Sequence, residues 1–198
     1  MTNTTNRVSR ILFKEIVDGD VRKIHADSND SDTGGGARDF RFGSYNELQH
    51  IFHSMFPKPI QERRKRNGVT SLFTIYSGYF YWKDPVTGET LSKVSFFEPP
   101  TDARPQEGRI TKIHEHPCLS TDLMPKSSIN NRVFLLLTQM DDGSVWPSYV
   151  EERTLRSVGL WADEITTKML NCIDSPRRAN LSVIGYYDFT THSRYCNC

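Results

Sequence analysis

The sequence predicts a mainly β (α+β) fold: a partly open, seven-stranded β-barrel with two peripheral helices and two projecting polar segments. Three observations predict it. Apolar, β-branched and aromatic residues gather in short runs separated by turn residues, the pattern of hairpin-connected strands. Only two stretches carry apolar residues at helical spacing. Two further stretches are too polar to be core and must project. Short antiparallel strands remove their exposed edges best by curling, which favours an open barrel over a flat sheet. At 198 residues and 36% hydrophobic composition the chain suits one core, so residues 1–198 are read as a single domain.

The elements follow in order. Ile11 to Val17 is apolar and ends at Asp18-Gly19-Asp20, so it reads as a strand closed by a turn. Arg22 to Arg41 holds four aspartates and three consecutive glycines and cannot be core. Tyr45 to Phe56 places Leu48, Ile51, Phe52, Met55 and Phe56 at helical spacing, with Ser44 as N-cap and Pro57 as stop. Val69 to Trp82 and Thr90 to Phe97 are strands joined by the turn at Asp84 to Gly88. Glu98 to Gln106 is a proline-rich excursion, after which Arg109 to Ile113 resumes an extended pattern. Arg132 to Met140 and Val145 to Val150 flank Asp141-Asp142-Gly143, the strongest hairpin signal in the chain. Arg153 to Cys172 is periodic enough for a helix, and Leu181 to Tyr187 reads as the last strand.

No apolar run is long enough to span a bilayer, and Met1 to Arg10 lacks the apolar centre of a signal peptide. A soluble, cytoplasmic protein with no membrane partner is expected. Cys118, Cys172, Cys196 and Cys198 are few and unevenly placed, so they are expected to be reduced thiols, and the Cys196-Asn197-Cys198 tail is given no role. A net charge of +1 neither demands nor excludes an anionic partner, so local charge must decide.

Catalytic constellations are sparse. No Glu-x-Lys or Asp-x-Lys tripeptide of the metal-dependent restriction nucleases occurs, and no His-x-Lys of the phospholipase-D type. His114, His116 and Cys118 alternate as zinc ligands on a strand would, but Pro117 and the missing second ligand pair make surface histidines the better reading, with no metal assigned. Gly34-Gly35-Gly36 lacks the Gly-Lys-Ser/Thr ending of a phosphate-binding loop. No catalytic residue and no cofactor is assigned to this chain.

The two projecting segments carry mixed polar chemistry. The first, about 22–42, ends in Arg38, Asp39 and Arg41. The second, about 98–113, holds Arg104, Gln106, Glu107 and Arg109. Guanidiniums pair bidentately with guanine and carboxylates accept from cytosine, so these residues suit the edges of base pairs. Arg63, Arg64 and Lys65, within Gln61 to Arg66, form a cationic run suited to phosphates, as do Arg22, Lys23 and Lys112. Each segment taken alone is more commonly a solvated loop.

Several motifs then fall in a common order: Lys23, Asn29-Asp30-Ser31-Asp32-Thr33-Gly34-Gly35-Gly36, Phe42, the helix end Met55-Phe56-Pro57, Ser71-Leu72-Phe73-Thr74, and Glu107-Gly108-Arg109-Ile110-Thr111-Lys112. With Arg132 to Leu137, Asp142-Gly143, Val145-Trp146 and Glu151-Glu152, this order resembles the N-terminal effector-binding domain of EcoRII-type restriction endonucleases from about Ile11 to Tyr187. The resemblance implies a DNA-binding pseudobarrel, similar to plant B-three domains, that grips the major groove between an N-terminal and a C-terminal arm. It implies base contacts from Arg38, Asp39, Arg41, Glu107 and Arg109, phosphate contacts from Lys23, Arg63, Arg64 and Lys112, and a short GC-rich site such as CCWGG. Cleavage, with its magnesium, would belong to a separate nuclease domain of a bacterial type II enzyme. Ala37-Arg38 and Ile113-His114-Glu115 depart from the family pattern of His-Gln and Trp-Gly-Arg, which leaves the site sequence open. The rival readings are a complete small nuclease and a non-catalytic protein-interaction domain.

Overall fold

The computed structural model describes residues 6–25, 38–66, 69–126, 128, 130–157, 163–176 and 181–197. Most of the first projecting segment, including the three glycines, therefore lies outside the described residues. The fold is mainly β. Its strands are β1 (Val8–Glu15), β2 (Phe40–Phe42), β3 (Lys58–Arg66), β4 (Val69–Lys83), β5 (Thr90–Glu98), β6 (Gly108–Thr111), β7 (Val133–Met140), β8 (Val145–Glu151), β9 (Ile184–Asp188) and β10 (Arg194–Cys196). The helices are α1 (Asp18–His25), α2 (Tyr45–Met55), α3 (Glu152–Arg156) and α4 (Asp163–Ile173). All ten strands form one sheet in the order β10-β9-β1-β7-β8-β4-β5-β6-β2, with β3 paired to β4 off that path. Every pairing is antiparallel except the contact of β4 with β8.

The sheet is curled but open. Leu12, Ile184 and Tyr186 near one end share a core with Phe40, Phe42 and Ile110 at the other, and α2 fills the space between them. The helical spacing of Leu48, Ile51, Phe52 and Met55 produces that filling, since all four are buried. Fully burying one such side chain contributes roughly 1.5–3 kcal/mol. Ser44 occupies the N-cap position but makes no side-chain cap bond. The end of α2 sits directly on β4, where a Cβ on Gly78 would lie 2.2 Å from the Met55 carbonyl oxygen. A second core lies on the outer face, where Ile11, Phe13, Phe134 and Leu136 meet Leu155, Ile165 and Met169 of α3 and α4. The unbroken apolar run of β7 follows from this arrangement, because the strand is buried on both faces.

Four expectations need correction. The described residues form ten strands rather than the seven expected. Short β2 and β10 lack room for a pattern, and β3 is largely exposed, so its polar run shows no alternation to read. Asp18 to His25 is a helix rather than the edge of a projecting segment, with Asp18 and Asp20 in its first turn, where carboxylates suit the helix dipole. Asp20 also pairs with buried Lys14. The long second helix is interrupted: Ser157 is extended after α3, and residues 158–162 lie outside the described region. Cys172 and Cys196 form a disulfide, with Cα atoms 5.7 Å apart, so they are not free thiols, and the tail joins the sheet as β10. The residue between the tail cysteines, Asn197, bonds Ile184 and Ser182. Cys198 lies outside the described residues.

His116 also departs from a surface reading. It is 1% exposed beside the Phe80 ring, and its Nδ1 has no hydrogen-bond partner among the described residues. Burial, with the nearby Lys93 charge, pushes its pKa down to about 4. No helix among the described residues is long and apolar enough to cross a membrane.

Two predictions follow from this packing. Because His116 binds its proton more weakly in the folded chain, that share of stability is complete above about pH 6.5 and declines towards pH 4, by roughly 3 kcal/mol. Urea midpoints measured across that range fall with acid, and His116→Phe flattens most of the dependence. Cys172→Ser lowers unfolding stability by about 3 kcal/mol, read from urea denaturation under oxidising conditions.

Candidate nucleic-acid interface

The site is built where the ends of the two polar segments become neighbouring strands. β2 pairs with β6 so that Phe40 faces Ile110, Arg41 faces Arg109, and Phe42 faces Gly108. Alternation sends Phe40 and Phe42 into the core and turns Asp39 and Arg41 to the other side. Gly108 is required by packing: a Cβ there would stand 2.7 Å from the Phe97 ring and 3.2 Å from that of Tyr45. The same close approach lays β6 against α2, and Tyr45 N–H donates to the Gln106 carbonyl at 3.1 Å.

Arg41 and Arg109 are thus directly opposed cations, an arrangement that repels unless acids intervene. Acids do intervene. Asp39, 1% exposed, accepts from Arg41 Nε at 3.1 Å and from Arg109 Nη1 at 3.4 Å. Glu98, at the end of β5, accepts from Arg109 Nε at 2.9 Å and from Arg64 Nη2 and Nη1 at 2.7 and 3.0 Å. Glu107 takes Arg104 at 3.2 Å and Arg41 at 3.5 Å, and Glu62 takes Arg64 at 2.5 Å. Arg64 further covers the Phe73 ring at 4.7 Å.

Four arginines and four carboxylates therefore form one connected cluster with no formal net charge. Burial opposes ionisation of Glu98, but the hydrogen bonds and charges of Arg64 and Arg109 outweigh it, so its carboxyl titrates below the usual carboxylate range. Arg64 is held protonated still more firmly, chiefly by its bond to Glu98. Over the cluster opens a cleft of about 610 Å³, lined among others by Arg41, Arg64, Lys65, Arg104, Glu107 and Arg109. Such a surface offers both donors and acceptors, which suits a ligand carrying both.

The remaining candidates divide by position. Arg38 lies two residues before β2, with its carbonyl accepting from Ile113 N–H at 3.1 Å, and its charge bears on His114. Gln106 is exposed beside the cleft wall. Arg63 and Lys65 are exposed on β3, and neither has an ion pair among the described residues. Lys112 is exposed, in a left-handed backbone conformation (φ 57°), with Nζ 5.1 Å from the Phe96 ring centre. Arg22 is exposed on α1 and does not line the cleft, and the Lys23 side chain lies outside the described residues. Residues 26–37 of the first segment are likewise outside. His114 and His116 fall on a single-turn 3₁₀ segment and its cap rather than on a strand, and no group of three or more His, Cys, Asp or Glu among the described residues could hold a metal ion.

Sequence reasoning missed Glu98 and Glu62 as members of the cluster. The available signal was the position of Glu98, which ends an alternating strand and begins the proline-rich excursion. Compared with protein-family models, curated proteins and solved structures, the chain matches none of them.

Removing the buried acid tests the electrostatic account. Asp39→Ala leaves Arg41 and Arg109 opposed without their shared partner and lowers stability by about 3 kcal/mol, whereas Arg104→Ala, at an exposed pair, changes it by less than about 1 kcal/mol. Urea midpoints of the two variants check the contrast.

Proposed function

We propose that this chain recognises a short sequence of double-stranded DNA through its major groove, acting as the target-binding or effector-binding domain of a type II restriction endonuclease. The observation that carries the reading is the direct pairing of Arg41 with Arg109. It brings two polar segments, about seventy residues apart in the chain, to one cleft rimmed by further arginines. That mixture of guanidinium donors and carboxylate acceptors matches the alternating donor and acceptor edges of guanine and cytosine. A GC-rich, CCWGG-like site is the first to try, on the strength of the family resemblance.

In this reading the curled sheet is a DNA-binding pseudobarrel, and the arms are the segments about 22–42 and 98–113. Arg38, Arg41, Arg104, Gln106, Glu107 and Arg109 read base edges, and Asp39 sets the pose of two of them. Arg22, Lys23, Arg63, Arg64, Lys65 and Lys112 are assigned to the backbone, where they would fix register and give salt-sensitive affinity without reading sequence. Arg64, engaged with Glu98 and Glu62, would reach a phosphate only with its remaining donors. The domain needs no cofactor. Magnesium-dependent cleavage would reside in a separate nuclease domain.

Selection of bound duplexes from a random pool yields an enriched GC-rich sequence if this reading holds, and no enrichment refutes it. On the enriched duplex, Arg109→Ala weakens binding by about 1–3 kcal/mol, with little change on a scrambled duplex. Equal loss on both, measured by fluorescence anisotropy, removes Arg109 from base reading.

A further inference from the structure

Glu98 bonds two of the arginines assigned above to DNA, Arg109 to base edges and Arg64 to the backbone. It is 8% exposed, and it bridges two arginines that come from different elements. Arg64 belongs to β3, which among the described residues pairs with β4 alone, and Arg109 belongs to β6. Glu98 and Arg109 are also cross-strand partners in the β5–β6 pair. Glu98 Oε2 takes both Nε and Nη2 of Arg109, and Asp39 takes Nη1, so the guanidinium is held on two sides and one N–H on each terminal nitrogen is left for an acceptor in the cleft. On the other side, both terminal nitrogens of Arg64 are turned onto Glu98, and the Phe73 ring backs the same guanidinium.

The consequence is electrostatic as well as geometric. A cleft of unpaired arginines would seize any stretch of phosphate backbone, because cation–phosphate contacts carry no sequence information. Here the arginine charge is matched acid for base, and Glu98 is the least exposed of the acids after Asp39. A neutral, oriented guanidinium–carboxylate cluster gains little from a phosphate and gains more from a base edge that meets both its donors and its acceptors.

We infer that Glu98 is a positioning residue that sets specificity: by holding Arg64 and Arg109 together, it orients Arg109 toward base edges and keeps both cations from binding phosphate indiscriminately. The inference rests on the DNA-recognition reading and deepens it, adding a residue that restrains binding to the wrong sequences.

The test compares the whole chain with Glu98→Gln on the enriched duplex and on a scrambled duplex, by fluorescence anisotropy over a series of salt concentrations. Glu98→Gln removes one negative charge and releases two cations. Affinity for the scrambled duplex is expected to rise several-fold. Its dependence of log affinity on log salt steepens by about one to two units, as each added phosphate contact contributes about 0.9. The ratio of enriched to scrambled affinity falls by about tenfold. A merely structural Glu98 would weaken both duplexes alike and leave the salt slope of the scrambled one unchanged, and that result overturns the inference. Should Glu98→Gln fail to fold, Glu98→Asp, which keeps the charge but cannot reach both arginines, is expected to lower the affinity ratio in the same direction, and an unchanged ratio overturns the inference. If the unsubstituted chain discriminates between duplexes but the variants do not alter that discrimination, this inference fails alone. If it binds no duplex, the parent reading fails with it.

Discussion

Two guanidiniums facing each other across one strand pair are the constraint around which this end of the molecule is arranged. Arg41 and Arg109 occupy paired positions of β2 and β6. Their mutual repulsion would oppose the very pairing that closes the end of the sheet. Asp39 and Glu98 resolve it, one immediately before β2 and the other at the end of β5. The buried acids are thus as necessary to the fold as the arginines are to the proposed recognition, and neither set makes physical sense alone. Removing one partner costs more than the pair contributes, because the charge left behind is partly desolvated.

The same end of the molecule is tied to the core by shape. Gly108 lets β6 approach Phe97 and Tyr45, and Phe97 stacks on Phe52 of α2 with ring centres 4.1 Å apart. The arginines are therefore carried on strands whose opposite faces are locked into aromatic packing, rather than on a free loop. A rigid mount of this kind limits the conformational freedom lost on binding, which favours selective over merely tight association.

The parts of the fold legible in the sequence were those with one buried face or a strong turn. The helix at Tyr45 to Met55, the hairpin at Asp141 to Gly143 and the strands at 90–97 and 133–140 all followed from periodicity or turn chemistry. The exposed strand β3 did not, because with water on both faces it has no reason to alternate. The helix at Asp18 was hidden by a glycine and two aspartates that equally describe a turn. Pairing of Cys172 with Cys196 was hidden because spacing alone does not fix distance in space. Within the site, Arg41 and Arg109 were legible as chemistry, but their adjacency was not. Glu98 was missed because a carboxylate ending a strand looks like solvent-facing punctuation until its partners are seen, and His116 because an imidazole at 1% exposure has no distinctive sequence signature.

Among the described residues, the strand Lys58–Arg66 has no neighbour on one of its edges, a row of backbone groups that another chain could extend. Its exposed positions include Arg63 and Lys65, and opposite Arg63 stands Leu72, which is 68% exposed. The positive charges there act as gatekeepers, since a second copy docking edge to edge would set like against like. Replacing those charges by neutral side chains therefore leaves an edge prone to self-association at high concentration.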